Sequence, residues 1–345
     1  MQSVSKPARI VPAWLIGCAA FLFLCACTPQ RAGPTTGGES VLCQDTQRIR
    51  GFDPVRAGDV YSALAIARIY EPLLQYSYLA RPYQVEPLLA TALPEVSSDG
   101  LTYTFRIRPG IYYQDDPCFE ATGGKGREVT AEDFVFSIKR LADRKTQAVG
   151  YWILAGRIEG LDEFRAASAG TEPTDYARPI PGVSALDRFT LQLRLTQPYP
   201  QLLWVLTMHY VAAVPQEAVS FYGDSFNLHP VGTGPYVLKE WVQNYKLEYV
   251  RNPKWRETGR TDAYPSTGSE ADRTAGLLDD AGRPIPFVDR IIDYVVMDPA
   301  TRWLMFVNGQ LDSSDVSRDN WDAVVGEGLT LDPSLVARGI SMKTG

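Results

Sequence analysis

The 345 residues are enough for two or more core-bearing units. With 45% apolar and 21% charged residues, the chain falls outside the disordered and collagen-like classes. The net charge is −6, and the first 26 residues carry Lys6 and Arg9 but no acid, so the remaining body is acidic, which argues against nucleic acid as a partner.

Lys6 and Arg9 precede an uncharged, mostly apolar run from Ala13 to Ala26, too short to span a bilayer as a helix. This layout predicts a secretory signal peptide over residues 1–26. Its end, Leu24-Cys25-Ala26-Cys27, resembles the lipobox of bacterial lipoproteins, which implies lipidation of Cys27; an ordinary signal peptide cut nearby and an uncleaved anchor are the competing readings. Residues 27–40 are rich in Pro, Gly and Thr and predict a flexible tether. Of five cysteines, Cys43 and Cys118 lie beyond this leader. In an oxidising compartment they either pair as a disulfide or remain two separate thiols.

Val41–Arg50 opens the folded part, and Phe52-Asp53-Pro54 forms a turn. Apolar residues at three- and four-residue spacing predict a helix over Asp59–Leu74, limited by Pro72. Thr102–Arg108 alternates as a strand, with Tyr103, Phe105 and Ile107 on one face. Pro109-Gly110 turns it toward an expected partner strand at Ile111–Tyr113. Thr130 is an N-cap ahead of Glu132 and Asp133, and the apolar spacing of Phe134, Val135, Ile138, Leu141 and Ala142 predicts a helix. Thr190–Leu195 is a further strand. Tyr236–Trp241 and Lys246–Val250 predict a hairpin turning near Gln243-Asn244. Arg256–Pro286 is polar and rich in Gly and Pro and predicts a surface insertion. Asp289–Met297 predicts a strand burying Ile291, Ile292, Val295 and Val296. Pro299–Val307 predicts a short helix closed by Asn308-Gly309. Asn320–Val325 and Ser334–Lys343 predict a last helix and strand. The uneven interspersion of strands and helices indicates a mixed α/β protein.

The signals of catalysis are missing. There is no Gly-x-Ser-x-Gly, no His-Glu-x-x-His and no phosphate-loop pattern, and His209 and His229 are the only histidines. No catalytic residue, metal ligand or cofactor is therefore assigned. Asp115-Asp116 and Asp279-Asp280 read as solvated turns, although a glycosidase-type carboxylate pair leaves no spacing rule in sequence. The 18 Tyr, 13 Phe and 7 Trp suit either a pocket for a ligand of mixed polarity or ordinary cores and sheet faces.

Several motifs together carry a resemblance. Thr130-Ala131-Glu132-Asp133-Phe134-Val135-Phe136-Ser137, with Arg140, resembles a helix of the bacterial extracellular solute-binding proteins, family 5, of dipeptide and oligopeptide transporters. Gly232-Thr233-Gly234-Pro235-Tyr236 with Trp241, and Arg251-Asn252-Pro253-Lys254-Trp255, are similar to two further motifs of that family. Phe52-Asp53-Pro54 and Asn308-Gly309-Gln310-Leu311-Asp312 stand where it has its Asp-Pro turn and its Gly-Glu/Gln-x-Asp. The resemblance implies an α/β, type II periplasmic-binding-protein-like fold. Its expected parts are a base lobe over 41–75 and 180–345, an inserted subdomain over 76–179, and a closing third lobe beyond residue 345.

The same resemblance implies a non-enzymatic function: a lipoprotein that captures short peptides or similar solutes for an ABC importer. Peptide is held as an extended strand, largely through its backbone. The expected partners are that ligand, ABC permease and ATPase subunits, and a membrane reached through the lipid anchor. The expected place is the periplasmic side of the cell envelope. The contact stretch after the Asp-Pro turn maps to Gly58, Asp59, Val60 and Tyr61, where packing at a helix start is the competing reading. The chain stops about where it would cross into the third lobe, so a fragment with impaired closure is expected. From other classes, an extracytoplasmic carboxylate-dependent hydrolase and an envelope docking module stand as alternatives.

Overall fold

A computed structural model describes residues 3–5, 9–11, 39–257, 260, 262–326 and 330–343. The apolar run Ala13–Ala26, Cys27 and nearly all of the expected tether lie outside the described residues. The chain divides into two compact units. The first comprises Met1–Arg48, Leu238–Val250 and Phe287–Gly345, and the second Ile49–Val237 and Arg251–Pro286. Residues 49–75 and 180–237 cluster with 76–179. The reason is a sheet that knits the expected insertion to the segment C-terminal to it: Thr102–Arg106 pairs antiparallel with Thr190–Arg194, setting Tyr103 opposite Leu193 and Phe105 opposite Leu191.

In the second unit, helix α1 (Val60–Ala67) starts on Asp59 and is shorter than its periodicity predicts. The carbonyls of Arg68 and Ile69 leave the helical ladder. They accept from Tyr236 N at 3.1 Å and Gly234 N at 2.7 Å. The chain then forms the strand Leu74–Tyr76, paired with Val85–Pro87. The main sheet of this unit runs Glu95–Val96, Thr102–Arg106, Thr190–Arg194, Val183–Asp187. Along Thr102–Arg106, Tyr103 and Phe105 are buried and alternate with more open residues, as the period-two pattern predicts.

The expected partner strand Ile111–Tyr113 does not form. Tyr112 makes a single bridge to Glu128 instead. Thr102–Arg106 takes Thr190–Arg194, with Leu193 and Leu191 opposite Tyr103 and Phe105, while Ile111 O accepts from Val129 N and Tyr113 N donates to Arg127 O.

Helix α2 (Ala131–Ala142) begins where the sequence places it. Asp133 Oδ2 accepts from the Thr130 backbone N–H at 2.8 Å, one arm of a capping box. The helix packs against Val183–Asp187 and Thr190–Arg194. It buries more than its apolar stripe: Lys139 and Arg140 are buried as well. Lys139 Nζ donates to Tyr176 O at 2.8 Å.

In the first unit a five-stranded sheet is centred on Arg290–Val295. This strand runs parallel to Glu39–Thr46 and antiparallel to Lys246–Arg251, with Tyr236–Val242 and Arg9–Val11 at the edges. Ile291 and Asp293 are its buried residues, so it is not apolar on both faces as expected. Asp293 Oδ1 accepts from Gln44 Nε2 at 3.0 Å. The hairpin turn falls at Asn244, with φ +60°, a conformation Asn tolerates. The helix Pro299–Val307 has the predicted bounds, with Asp298 accepting from Thr301 N at 2.7 Å. Phe306 packs with Leu311, Val324, Val325, Leu335 and Ile340 in a small core. A second sheet joins Ser313–Asp315, Ser3–Ser5 and Ser341–Lys343. The last stretch holds short helices at Trp321–Val324 and Pro333–Val336.

Candidate functional site

The candidate ligand residues sit at and before the start of α1. Asp59 caps the helix: Oδ1 accepts from Ser62 N at 2.8 Å and Oδ2 from Ser62 Oγ at 2.8 Å. Ser62 Oγ accepts in turn from Arg50 N at 2.9 Å. Gly58 is exposed, and a Cβ there would stand 3.3 Å from Val149 Cγ2. Tyr61 is half-buried. Val60 is 69% exposed, so packing at the helix start does not account for it.

The exposure of Val60 is part of a pattern. Helix α1 buries Ser62, Ala65 and Ile66 on one side and leaves Val60, Leu64 and Ala67 outside. Leu64 is 58% exposed. These residues form one wall of a cavity of about 540 Å³. Tyr76, Trp204 and Met208 contribute to the rest of its lining. The volume falls within the range of small-molecule sites, about 300–1,000 Å³. The rings of Tyr76 and Trp204 lie 5.4 Å apart at 46°, and Tyr83 meets Tyr76 edge-on at 6.1 Å. The sequence reading named Val60 but not Leu64, Tyr76 or Trp204, which share this lining with it. Nothing in their local pattern separates a residue lining a cavity from one filling a core.

The polar groups of the lining are Gln201, Thr207 and His209. His209 Nε2 lies 3.0 Å from Ala57 O, and a carbonyl only accepts, so this nitrogen carries the proton in the neutral ring. Burial holds the His209 pKa below its ordinary value, against the opposing pull of the Ala57 hydrogen bond and Asp59.

Three arrangements fix the elements around α1. Arg140 Nη1 and Nη2 donate to Asp53 Oδ1 and Oδ2 at 3.1 and 2.9 Å, joining the Asp-Pro turn to α2. Asn227 clamps the preceding segment: its Oδ1 accepts from Asp53 N at 3.0 Å and its Nδ2 donates to Arg50 O at 2.9 Å. Gly232 and Gly234 lie directly on the chain after α1. A Cβ on Gly232 would stand 1.9 Å from Ile69 O, and one on Gly234 2.6 Å from Arg68 O. Neither glycine has a positive φ. They are required for close approach, not for backbone hand.

Arg260 ties the 251–286 segment into the same unit. It donates to both Glu71 carboxylate oxygens at 2.8 and 2.9 Å and lies over the Trp255 ring at 3.5 Å. The predicted surface insertion thus has a buried anchor that its polar composition concealed.

The remaining candidates do not converge on this cavity. Cys43, on the strand Glu39–Thr46, and Cys118, in a buried turn, are not joined in a disulfide. They belong to different units. Asp115 pairs with Lys125 and Lys254, and Asp116 accepts from Tyr222 Oη at 2.9 Å. Among the described residues no cluster of three or more His, Cys, Asp or Glu could hold a metal ion, and no helix is long and apolar enough to cross a membrane.

Residues 84–344 match the family described as bacterial extracellular solute-binding proteins, family 5 Middle. The oligopeptide-binding protein AmiA of Streptococcus pneumoniae is 32% identical over 166 residues, which are 47% of this chain and 23% of that protein. The periplasmic oligopeptide-binding protein OppA of Salmonella typhimurium is 32% identical over 227 residues, 65% of this chain and 38% of that protein. The chain thus spans well under half the length of these relatives. The structure of Listeria monocytogenes OppA bound to peptide superposes with a TM-score of 0.60 at 21% identity, covering 80% of this chain and 46% of that one. At that identity the likeness shows the fold, an α/β, type II periplasmic-binding-protein-like architecture. The match over residues 84–344 shows that the chain belongs to the family 5 bacterial extracellular solute-binding proteins, a non-enzymatic family, and the motifs around Asp53, Arg140 and Gly232 make the structural contacts described above.

Proposed function

We propose that this chain belongs to the solute-capturing component of an ABC-type importer and that its ligands are short peptides or similar solutes. The observation that carries the reading is the outward apolar face of α1, with Val60 and Leu64 lining a cavity beside Tyr76 and Trp204. A folded helix that leaves its branched apolar residues toward an open cavity keeps surface available for a ligand. Relatives named as oligopeptide-binding supply the solute class. In this reading Asp59 positions the start of α1 and Val60 borders the ligand, while Gly58 and Tyr61 lie near Val60 in sequence and are not part of the cavity lining.

Calorimetry of the purified chain with a mixture of two- to five-residue peptides tests the proposal. Saturable binding, weakened at least about ten-fold by Trp204→Ala, is the expected result. Absence of heat with every peptide, or binding indifferent to Trp204→Ala, would refute it.

The envelope setting is part of the same proposal. Residues 1–26 act as a signal, Cys27 takes lipid, residues 27–40 tether the body, and permease and ATPase subunits receive the solute. This requires that Ser3–Ser5 and Arg9–Val11 leave with the signal. Mass spectrometry of the mature N-terminus should find diacylglyceryl-modified Cys27. An intact Met1 terminus would exclude the anchor.

A further inference from the structure

The wall of the α1 cavity has a property that peptide capture alone does not demand. Among the described residues its lining carries no lysine, arginine, aspartate or glutamate. Its imidazole, His209, is tied through Nε2 to the Ala57 carbonyl. Asp59, whose charge raises the His209 pKa, is engaged by both the N–H and the hydroxyl of Ser62 and lies 3.8 Å from Arg50. The apolar part is contributed by Val60, Leu64 and Ala67 from α1, facing Tyr76, Trp204 and Met208. Trp204 is 36% exposed and Tyr76 50% exposed, so both rings keep accessible surface.

We infer that this cavity is a selective subsite, which accepts an uncharged aromatic or branched apolar side chain of the bound solute and rejects a charged one. The inference rests on the peptide-capture reading and narrows its ligand. Two physical effects give the selectivity. Aromatic side chains prefer tilted or edge-on partners with ring centroids about 4.5–7 Å apart, and the Tyr76–Trp204 pair already has that geometry and leaves ring area free. A charged side chain entering the cavity would lose water and meet no counter-charge on the lining, and burial of an unpaired charge is strongly unfavourable.

The test uses the purified full chain labelled with ¹³C-methyl methionine. The sequence has five methionines, and Met208 lies in the lining, its signal identified by its loss in Met208→Leu. Four tripeptides that differ only at the centre are titrated: Ala-Phe-Ala, Ala-Leu-Ala, Ala-Lys-Ala and Ala-Glu-Ala. The phenylalanine and leucine peptides should bind at least about ten-fold tighter than the charged pair, and the phenylalanine ring current should move the Met208 methyl signal. Leu64→Glu places a carboxylate on the exposed wall without touching buried packing, and should raise affinity for the lysine peptide while lowering it for the phenylalanine peptide. Similar affinities for all four, or apolar preference with an unmoved Met208 signal, would overturn the selectivity and leave peptide capture standing. No binding by any of the four would count against both readings.

Discussion

Gly232 and Gly110 show two different reasons for a glycine. At Gly232 the obstacle is space, because a Cβ would stand 1.9 Å from the Ile69 carbonyl oxygen. At Gly110 nothing lies within 4 Å, but φ is +77°. Gly232→Ala should therefore cost more than about 4 kcal/mol or prevent folding, while Gly110→Ala should cost about 1–2 kcal/mol. Urea denaturation of the two variants measures the difference.

Arg140 and Asp53 make a second case at this scale. Both side chains are buried and paired through two hydrogen bonds. Arg140→Met alone leaves the buried Asp53 carboxylate with only the half-exposed Arg56, 3.7 Å away, as a counter-charge and should destabilise by about 3 kcal/mol. Adding Asp53→Leu should recover much of that loss, because it removes the buried charge. A double-mutant cycle in urea tests both statements. His209 adds a pH dependence. Its folded pKa lies below the ordinary 6.5, so the unfolded chain binds the proton more readily. Stability is fully retained above about pH 6.5 and falls as pH drops toward the folded pKa. His209→Gln should flatten this part of the profile in urea midpoints taken from about pH 7.5 to about pH 5.

At the scale of elements, periodicity identified helices better than it identified which face is inside. The helix Pro299–Val307 was fully legible, because Asp298, Pro299, Asn308 and Gly309 mark its ends. The start of α2 was legible for the same local reason, Thr130 with Asp133. Helix α1 was legible in type only. Its apolar residues occur on two faces, and only tertiary contacts decide that Ile66 goes inside while Val60 and Leu64 stay out. This predicts a dissociation between stability and binding. Leu64→Gln should change stability by no more than about 0.5 kcal/mol, as an exposed helical position. It should still weaken binding of an apolar peptide several-fold, read by calorimetry beside a thermal melt. The expected strand at Ile111–Tyr113 failed for a related reason: Thr102–Arg106 took its partner from Thr190–Arg194, and no local signal reports such a distant pairing.

For the whole molecule, the division into units tracks hydrogen-bonded sheets and not sequence blocks. The second unit is interrupted only by Leu238–Val250. The flanks of that excursion are adjacent, since Asn252 N donates to Pro235 O at 2.8 Å. Residues 49–286 with Leu238–Val250 replaced by a short Gly-containing turn should therefore fold alone, with a single cooperative transition and protease resistance. A protein that is unfolded by circular dichroism would show that the unit depends on the rest of the chain. The sequence by itself determined the family, the mixed α/β class and the positions of the Asp-Pro turn, the α2 start and the Gly-Thr-Gly-Pro segment. These depend on caps, turns and glycines that act within a few residues. The tertiary structure alone decided the cavity, because Val60, Tyr76 and Trp204 come from separate segments and their exposure depends on what packs beside them. It also decided why Gly232 must be glycine, since the Ile69 carbonyl that excludes a side chain there comes from a segment far away in sequence.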